Sequence, residues 1–401
     1  MTDKWINIDQ LRLGMFIVRL GGSWLEHPFW RTRFLLDSPD DLKLLKKAGI
    51  KRICIDPVHG LDIDAITDMD VVVEKMVVEP VAAVEVRHNT SMSDELRRSR
   101  RILDKSKEAV MTMFAEARMG KAIEVADMQP LVEEISNSVA RNSGALISLA
   151  RLKNKDEYTY MHSVAVCALM IALARQLKLD EERVREAGMA GLVHDIGKAM
   201  VPLAILNKPG RLSDIEFIAV KEHPEHGHRL LQQSNSATEA MLDVCLHHHE
   251  KIDGSGYPEG LHDKEISLLA KMGAVCDVYD AVTSNRPYKS GWDPAESIRR
   301  MAEWQGHFDP AVFQAFVKSL GIYPVGSLVR MESGKLAIVI EQHPKSLVTP
   351  IVKAFFSTKS RCQIMPEILD LSNARCQDKI VARESADKWG LIHLDDLWNV
   401  Q

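Results

Sequence analysis

The sequence predicts a mainly α-helical protein: a helical bundle over residues 125–320, preceded by a small α/β domain and followed by a small β-rich extension. Three observations predict it. Apolar residues recur at helical spacing from about residue 125 to about 320, with short breaks at Asn207–Gly210 and Asp253–Gly260. The two ends of the chain break that pattern with short apolar runs bounded by turn residues. Nine of the 15 histidines fall between His162 and His262, inside the helical stretch.

Each element follows in chain order. A chain of 401 residues implies two or three domains. Residues 1–65 read as the α/β domain, with Trp5–Ile8 and Met15–Leu20 as strands. Ser38-Pro39-Asp40 supplies an N-cap and a first-turn proline, so a helix opens there, runs to Ala48 and stops at Gly49. A strand follows over Lys51–Asp56. Residues 66–124 read as a connecting segment. Its first part, 66–92, has no clear pattern, whereas Leu96, Ile102, Leu103, Val110 and Met113 mark a long helix over 93–119. That helix connects modules, pairs with a second copy in a homodimer, or is buried within its own chain. Within the extension, 321–401, Val325–Met331 and Lys335–Glu341 read as strands around the turn Glu332-Ser333-Gly334.

Composition narrows the function. A hydrophobic share of 46% and a charged share of 27% are ordinary for a soluble chain. The net charge of -5 argues against bulk attraction to polymeric nucleic acid or an anionic membrane. A locally basic pocket for a small anion remains compatible with it. Cys54, Cys167, Cys245, Cys276, Cys362 and Cys376 form no CxxC pair and read as reduced thiols of a cytoplasmic protein. The N-terminus lacks a signal-peptide pattern, and no apolar run approaches the roughly 20 residues that span a bilayer.

The chemistry concentrates in the histidine-rich stretch. His194-Asp195 pairs a neutral nitrogen with an anionic oxygen, and Gly197 gives the chain room to turn so that both converge. His162 lies upstream on a helix. His223, His248, His249, Asp277 and Asp280 follow downstream. These are nitrogen and oxygen donors without a thiolate, a set that suits Fe, Mn, Ni or Zn, and a carboxylate can bridge two ions. Otherwise several unpaired polar groups would lie in apolar helices, each at a cost of about 2 kcal/mol or more.

These residues carry a family resemblance. His194-Asp195-Ile196-Gly197-Lys198 resembles the HD signature of the HD phosphohydrolase superfamily. His248-His249-Glu250, continuing through Asp253-Gly254-Ser255-Gly256-Tyr257-Pro258 to Gly260-Leu261, is similar to the second signature of the HD-GYP subfamily. Asp277-Val278-Tyr279-Asp280 through Arg286-Pro287-Tyr288-Lys289 is similar to its third. The resemblance covers about residues 145–320, and the first 65 also resemble a small domain attached to one HD-GYP subgroup.

The resemblance implies a helical HD-GYP bundle with a two-metal centre, Fe or Mn first and Ni or Zn also compatible. It implies His162, His194, Asp195, His223, His248, His249 and Asp277 as ligands, Asp195 bridging. Lys198 would face the scissile phosphate, with Tyr257, Arg286 and Lys289 on the ligand. The reaction implied is hydrolysis of cyclic di-GMP to linear pGpG, with a further cut to GMP left open, or hydrolysis of 3′,3′-cyclic GMP-AMP. The attacking water would be activated by the metals, with Lys198 stabilising charge on the phosphoryl oxygens. Some members recruit a third metal with a Glu four residues before the first histidine. Here that place is Tyr158, with Glu157 one position off, which favours two metals.

Other readings stand beside these. His247, His226 and His228 read as neighbours rather than ligands, and His262 and His307 have no motif support. Glu250 either orients a ligand or ends a helix. Asp280 is a partner behind a ligand, a proton acceptor in catalysis, or a structural cap. Cys245 and Cys276 read as small core residues. The rival functions are a non-catalytic cyclic-dinucleotide receptor, a module that binds a signalling protein through the Gly-Tyr-Pro loop, and a general nucleotide phosphohydrolase.

Overall fold

The computed structural model describes residues 4–12, 15–20, 34–36, 42, 45–46, 52–57, 92–152, 158–208, 210–284, 291–343 and 346–399. The chain divides into two compact units, Met1–Val86 and Arg87–Gln401.

In the first unit, β1 (Lys4–Asn7), β2 (Phe16–Leu20), β3 (Phe34–Leu35) and β4 (Arg52–Ile55) form an antiparallel sheet. Its order is β1-β4-β2-β3. The strands alternate, so Ile6 turns into the core while Trp5 faces out. Ile6, Leu11, Met15, Ile17, Leu36, Leu45, Ile53 and Ile55 make that core. Of the helix expected over 39–48, Leu42, Leu45 and Lys46 are helical; the rest of it, and residues 66–91, lie outside the described residues.

The second unit begins with α1 (Met92–Arg118), the long helix expected at 93–119. Leu96, Leu103, Val110 and Met113 are buried, and α1 packs on the bundle of its own chain. The stripe is buried within its own chain. The bundle continues with α2 (Gln129–Arg141), α3 (Ser143–Arg151), α4 (Tyr158–Gln176) and α5 (Glu181–Val193). Next come α6 (Leu203–Leu206), α7 (Asp214–Lys221), α8 (His223–Gln232) and α9 (Glu239–His247). It closes with α10 (Leu268–Thr283), α11 (Pro294–Glu303) and α12 (Pro310–Leu320).

Local sequence explains the starts. Asp180, Ser213, Thr238, Ser267, Asp293 and Asp309 each accept a backbone N–H at the head of a helix. Helix α4 is buried on nearly every face from Met161 to Ala174, which makes it the central helix, with α1, α2, α3, α5, α10 and α12 around it. Among the described residues no helix is long and apolar enough to cross a membrane.

After the bundle, five antiparallel strands form one sheet: β5 (Leu328–Met331), β6 (Lys335–His343), β7 (Ser346–Ser357), β8 (Cys362–Asp370) and β9 (Ile380–Arg383). Their order is β8-β7-β6-β5-β9. The expected turn at Glu332-Ser333-Gly334 joins β5 to β6, and Gly334 takes its left-handed position at φ 83°. Val329, Met331, Ala337, Val339, Val352, Ala354 and Leu371 form the core of this sheet.

Candidate metal centre

The histidines converge because helices end beside one another. Helix α5 stops at Val193, and Ile196–Met200 winds as a 3-10 turn. Neighbours on a regular helix diverge by about 100°. The change of winding across His194 and Asp195 brings both side chains to one side. Gly197 acts differently from the turn residue expected. A Cβ on it would lie 1.8 Å from the His223 carbonyl oxygen and 2.4 Å from the Gly227 nitrogen. Gly227 faces it across the joint, and a Cβ there would lie 2.5 Å from Cys245 Sγ. The glycine pair lets the 3-10 turn press against α8, which opens with His223. His162 comes from α4, His248 and His249 follow the end of α9, and Asp277 comes from α10.

All seven expected ligands meet, in two groups joined by one carboxylate. Asp195 Oδ2 lies 3.4 Å from both His162 Nε2 and His194 Nε2. Its other oxygen, Oδ1, lies 3.1 Å from His223 Nε2 and 3.7 Å from His248 Nε2. Asp277 Oδ1 is 2.9 Å from His162 Nε2 and 3.9 Å from His194 Nε2. Asp277 Oδ2 is 3.7 Å from His249 Nδ1. His223, His248 and His249 place donor atoms within 4.8 Å of one another, as do His162, His194 and Asp277.

The back of each ring settles where its proton sits. His194 Nδ1 bonds the Gly191 carbonyl at 2.8 Å, and His223 Nδ1 bonds the Val220 carbonyl at 2.7 Å. His248 Nδ1 lies 3.0 Å from the carbonyls of both Val244 and Cys245. A carbonyl only accepts, so each Nδ1 carries a proton, and His194 and His248, held neutral by burial, offer an Nε2 lone pair to the centre. His223 Nε2 and His248 Nε2 face each other at 3.2 Å. His194 Nε2 and Asp195 Oδ1 are buried with no hydrogen-bond partner. Nitrogen and oxygen donor atoms converging in a buried site, two of them without a hydrogen-bond partner, are what a divalent metal takes up, so the donor set fits one.

The local electrostatics leave Asp195, Asp277, His194, His248 and His249 in the states a metal takes up. Burial opposes ionisation of Asp195, but Lys198 and His194 outweigh it and hold the pKa well below the ordinary 3.8. Burial likewise opposes Asp277, and the hydrogen bond to His162 with the charge of His249 brings it well below 3.8. Burial and the neighbouring His249 push His248 well below 6.5, and burial takes His249 to about 3. Burial also lowers His194. His162 goes the other way: burial opposes protonation, yet Asp277 and Asp280 together raise it above 6.5.

Around this centre, Lys198 Nζ donates to Asp195 Oδ2 at 2.5 Å. Asp280 stands behind His162, accepting from Nδ1–H at 2.6 Å. Of its three expected roles this contact accords with the first, a partner behind a candidate ligand. Tyr257 stacks on His249 with ring centroids 4.7 Å apart. Glu250 does neither of the things expected of it. It is buried and accepts backbone N–H groups from Glu259 (2.7 Å), Gly260 (3.0 Å) and Leu261 (3.1 Å), closing the Gly-Tyr-Pro loop. The loop presents Asp253, Ser255 and Glu259 outward.

Arg286, Lys289 and Glu157 lie outside the described residues, and of Tyr158 only the backbone is described. His247 pairs with Asp243 at 2.7 Å and with Glu259 at 3.4 Å. His226 lies beside Glu222, His228 is half-buried, and His307 stacks on Trp304. His262 N–H bonds Glu265 at the head of a short turn. Sequence reasoning missed the Gly227 contact and the loop-closing role of Glu250. The Gly in His-Pro-Glu-His-Gly was the available signal for the first.

A family profile described as an HD domain matches residues 135–312, and one described as a domain of unknown function (DUF3391) matches residues 3–128. The chain is 55% identical over 396 residues to a cyclic di-GMP phosphodiesterase of Pseudomonas aeruginosa, covering 98% of this chain and 95% of that protein. It is 36% identical over 193 residues to a cyclic di-GMP phosphodiesterase response regulator of Xanthomonas campestris, covering 47% and 51%. It is 35% identical over 167 residues to a 3′3′-cGAMP-specific phosphodiesterase of Vibrio cholerae, covering 41% and 38%. Among solved structures, an HDG"Y"P protein from Bdellovibrio bacteriovorus aligns over 79% of this chain and 98% of its own, at 19% identity and a TM-score of 0.49.

Proposed function

This chain belongs to the HD-GYP branch of the HD-domain family, and on that premise we propose that it hydrolyses cyclic di-GMP to linear pGpG. Full-length similarity to a cyclic di-GMP phosphodiesterase supports this substrate over 3′,3′-cyclic GMP-AMP, whose named enzymes match under half of the chain. The observation that carries the reading is the pair of buried, partnerless acceptors, His194 Nε2 and Asp195 Oδ1, in the midst of five further donors.

We assign His162, His194, Asp195 and Asp277 to one divalent ion and Asp195, His223, His248 and His249 to a second. Fe or Mn suits these nitrogen and oxygen donors. When bound, the ions supply Lewis acidity, making hydroxide available near neutral pH and offsetting charge on the phosphoryl group. The chain's own residues do the rest. Asp195 spans the two donor groups with its two oxygens. Asp280 keeps the His162 ring turned by holding its Nδ1 proton. Lys198, fixed by Asp195, sets a positive charge where the phosphoryl oxygens gain negative charge during in-line attack. Tyr257 walls the pocket on the His249 side, its ring steadied from the loop that Glu250 closes. Arg286 and Lys289 are assigned to the anionic ligand from the sequence signature. The four fully buried free thiols, Cys54, Cys167, Cys245 and Cys276, accord with a reducing, cytoplasmic setting.

The test is hydrolysis of cyclic di-GMP and 3′,3′-cyclic GMP-AMP, side by side, by anaerobically purified protein loaded with Fe(II) or Mn(II). Turnover of cyclic di-GMP, abolished in the His194→Ala/Asp195→Ala double variant, is the expected result. Tight binding of the dinucleotide without cleavage, with both metals shown to be bound, would replace the enzyme by a receptor.

A further inference from the structure

We propose that Lys221, which belongs to none of the signatures, holds the second phosphodiester of the substrate while the first lies at the metal centre. This rests on the cyclic-dinucleotide reading. Such a ring carries two phosphodiesters, and only one is cleaved at a time. The other is an anion that must find a cation or remain in water.

Lys221 is the last residue of α7, exposed, and two residues before His223. Its Nζ lies 4.6 Å from the ring centroid of Tyr257 and 5.5 Å from that of Phe217. The Tyr257 ring in turn lies on His249. The ammonium is therefore one aromatic ring away from a residue of the metal centre, on its open side. Among the described residues no carboxylate pairs with Lys221. Lys198 and Lys208, by contrast, are held by Asp195 and Glu216. Lys198 is committed to the centre itself.

An exposed ammonium resting on a ring gains less than one donating a charge-assisted hydrogen bond to phosphate. An arriving phosphodiester thus draws Lys221 off its rings without breaking an ion pair. The long flexible stem of lysine suits this swing between two positions. Phe217 stays behind as an exposed apolar surface beside the second half of the ring.

The experiment compares wild type, Lys221→Gln and Lys221→Arg in the Mn(II)-loaded full chain, on cyclic di-GMP and on bis(4-nitrophenyl) phosphate. The latter is a single phosphodiester. Metal content and melting temperature are measured for each variant. For Lys221→Gln the expected result is a KM for cyclic di-GMP raised about tenfold or more, the scale of one lost hydrogen bond to a charged group. The loss of kcat/KM on the single ester should be several times smaller, and Lys221→Arg should recover most of the difference. Equal loss on both esters would assign Lys221 to the centre itself, and no loss on either would remove it from binding; both overturn the proposal. Wild-type protein that cleaves the single ester but not cyclic di-GMP would overturn the functional reading and this proposal together.

Discussion

Two buried polar clusters lie in the same helical unit, and they are built on opposite plans. One joins α1 to α2. Glu95 is fully buried and accepts Arg141 Nε at 2.8 Å, Arg141 Nη2 at 2.7 Å and Ser138 Oγ at 2.7 Å, while Ser99 Oγ lies 3.1 Å from Ser138 Oγ. Every donor there meets an acceptor. The other cluster is the histidine-aspartate centre, where buried His194 Nε2 and Asp195 Oδ1 have no hydrogen-bond partner and the donor atoms of His223, His248 and His249 gather within 4.8 Å of one another. Burial of charge is common to both and marks neither as functional. The difference lies in whether the hydrogen bonds close on themselves or leave a set of lone pairs aimed at one point.

The contrast can be broken by experiment, beginning with its largest effect. Asp195→Asn removes the bridging charge, and turnover should fall by more than about 100-fold, the upper range for residues that only support ligands. Its melting temperature in chelator should fall, because Lys198 loses the carboxylate that holds it. Retention of a tenth of the wild-type rate would remove Asp195 from the bridge. Glu95→Ala should do the reverse, lowering stability by about 3 kcal/mol in denaturant titration, since it strands Arg141 and Ser138. Its kcat per folded molecule should match wild type; a loss of kcat at full folding would mean that the closed cluster also serves the site.

Asp280→Ala tests the border between the two plans, since Asp280 closes a hydrogen bond behind an open ligand. Metal affinity or activity should drop about 10- to 100-fold, read by metal titration. An unchanged affinity would reduce Asp280 to packing.

The smallest effect concerns His307, which lies outside both clusters. Burial and then the charge of Lys251 lower its pKa from 6.5 to about 4. The folded state thus favours the neutral ring, and between those values the unfolded chain binds more protons. The stability contributed is complete above pH 6.5, falls as the pH drops toward about 4, and is gone below. His307→Phe should flatten the melting temperature against pH in that window; an unchanged slope would refute the assignment.

How much of this was legible depends on how far each interaction reaches. The seven His and Asp side chains that converge could be named together from the signatures, and each sits at a helix end or on a helix face. The bundle was legible through the periodic stripes of α1 and α4. Glu250 was not, because its partners lie on residues 259–261, across a loop whose closure no local pattern records. Asp280 kept three readings because only the position of His162, 118 residues earlier, chooses among them. In the C-terminal sheet β5 and β6 stood out through their turn. Strand β8 did not, since as an edge strand it exposes Met365 and Ile368 and so loses the alternation that marks a half-buried strand.

The contact between Gly197 and Gly227 works as a gauge block. It brings the two halves of the donor set as near as two backbones can come, so the bay between them is sized by main chain rather than by adjustable side chains. A single methyl at residue 197 wedges that joint open, because it would otherwise overlap the His223 carbonyl at 1.8 Å. The distances from donor atoms to first-row transition ions and to Ca²⁺ differ by only about 0.2–0.5 Å. Gly197→Ala is thus a change of calibre: it would move the His223 side of the donor set away from the His194–Asp195 side while leaving the chemical identity of every donor unchanged.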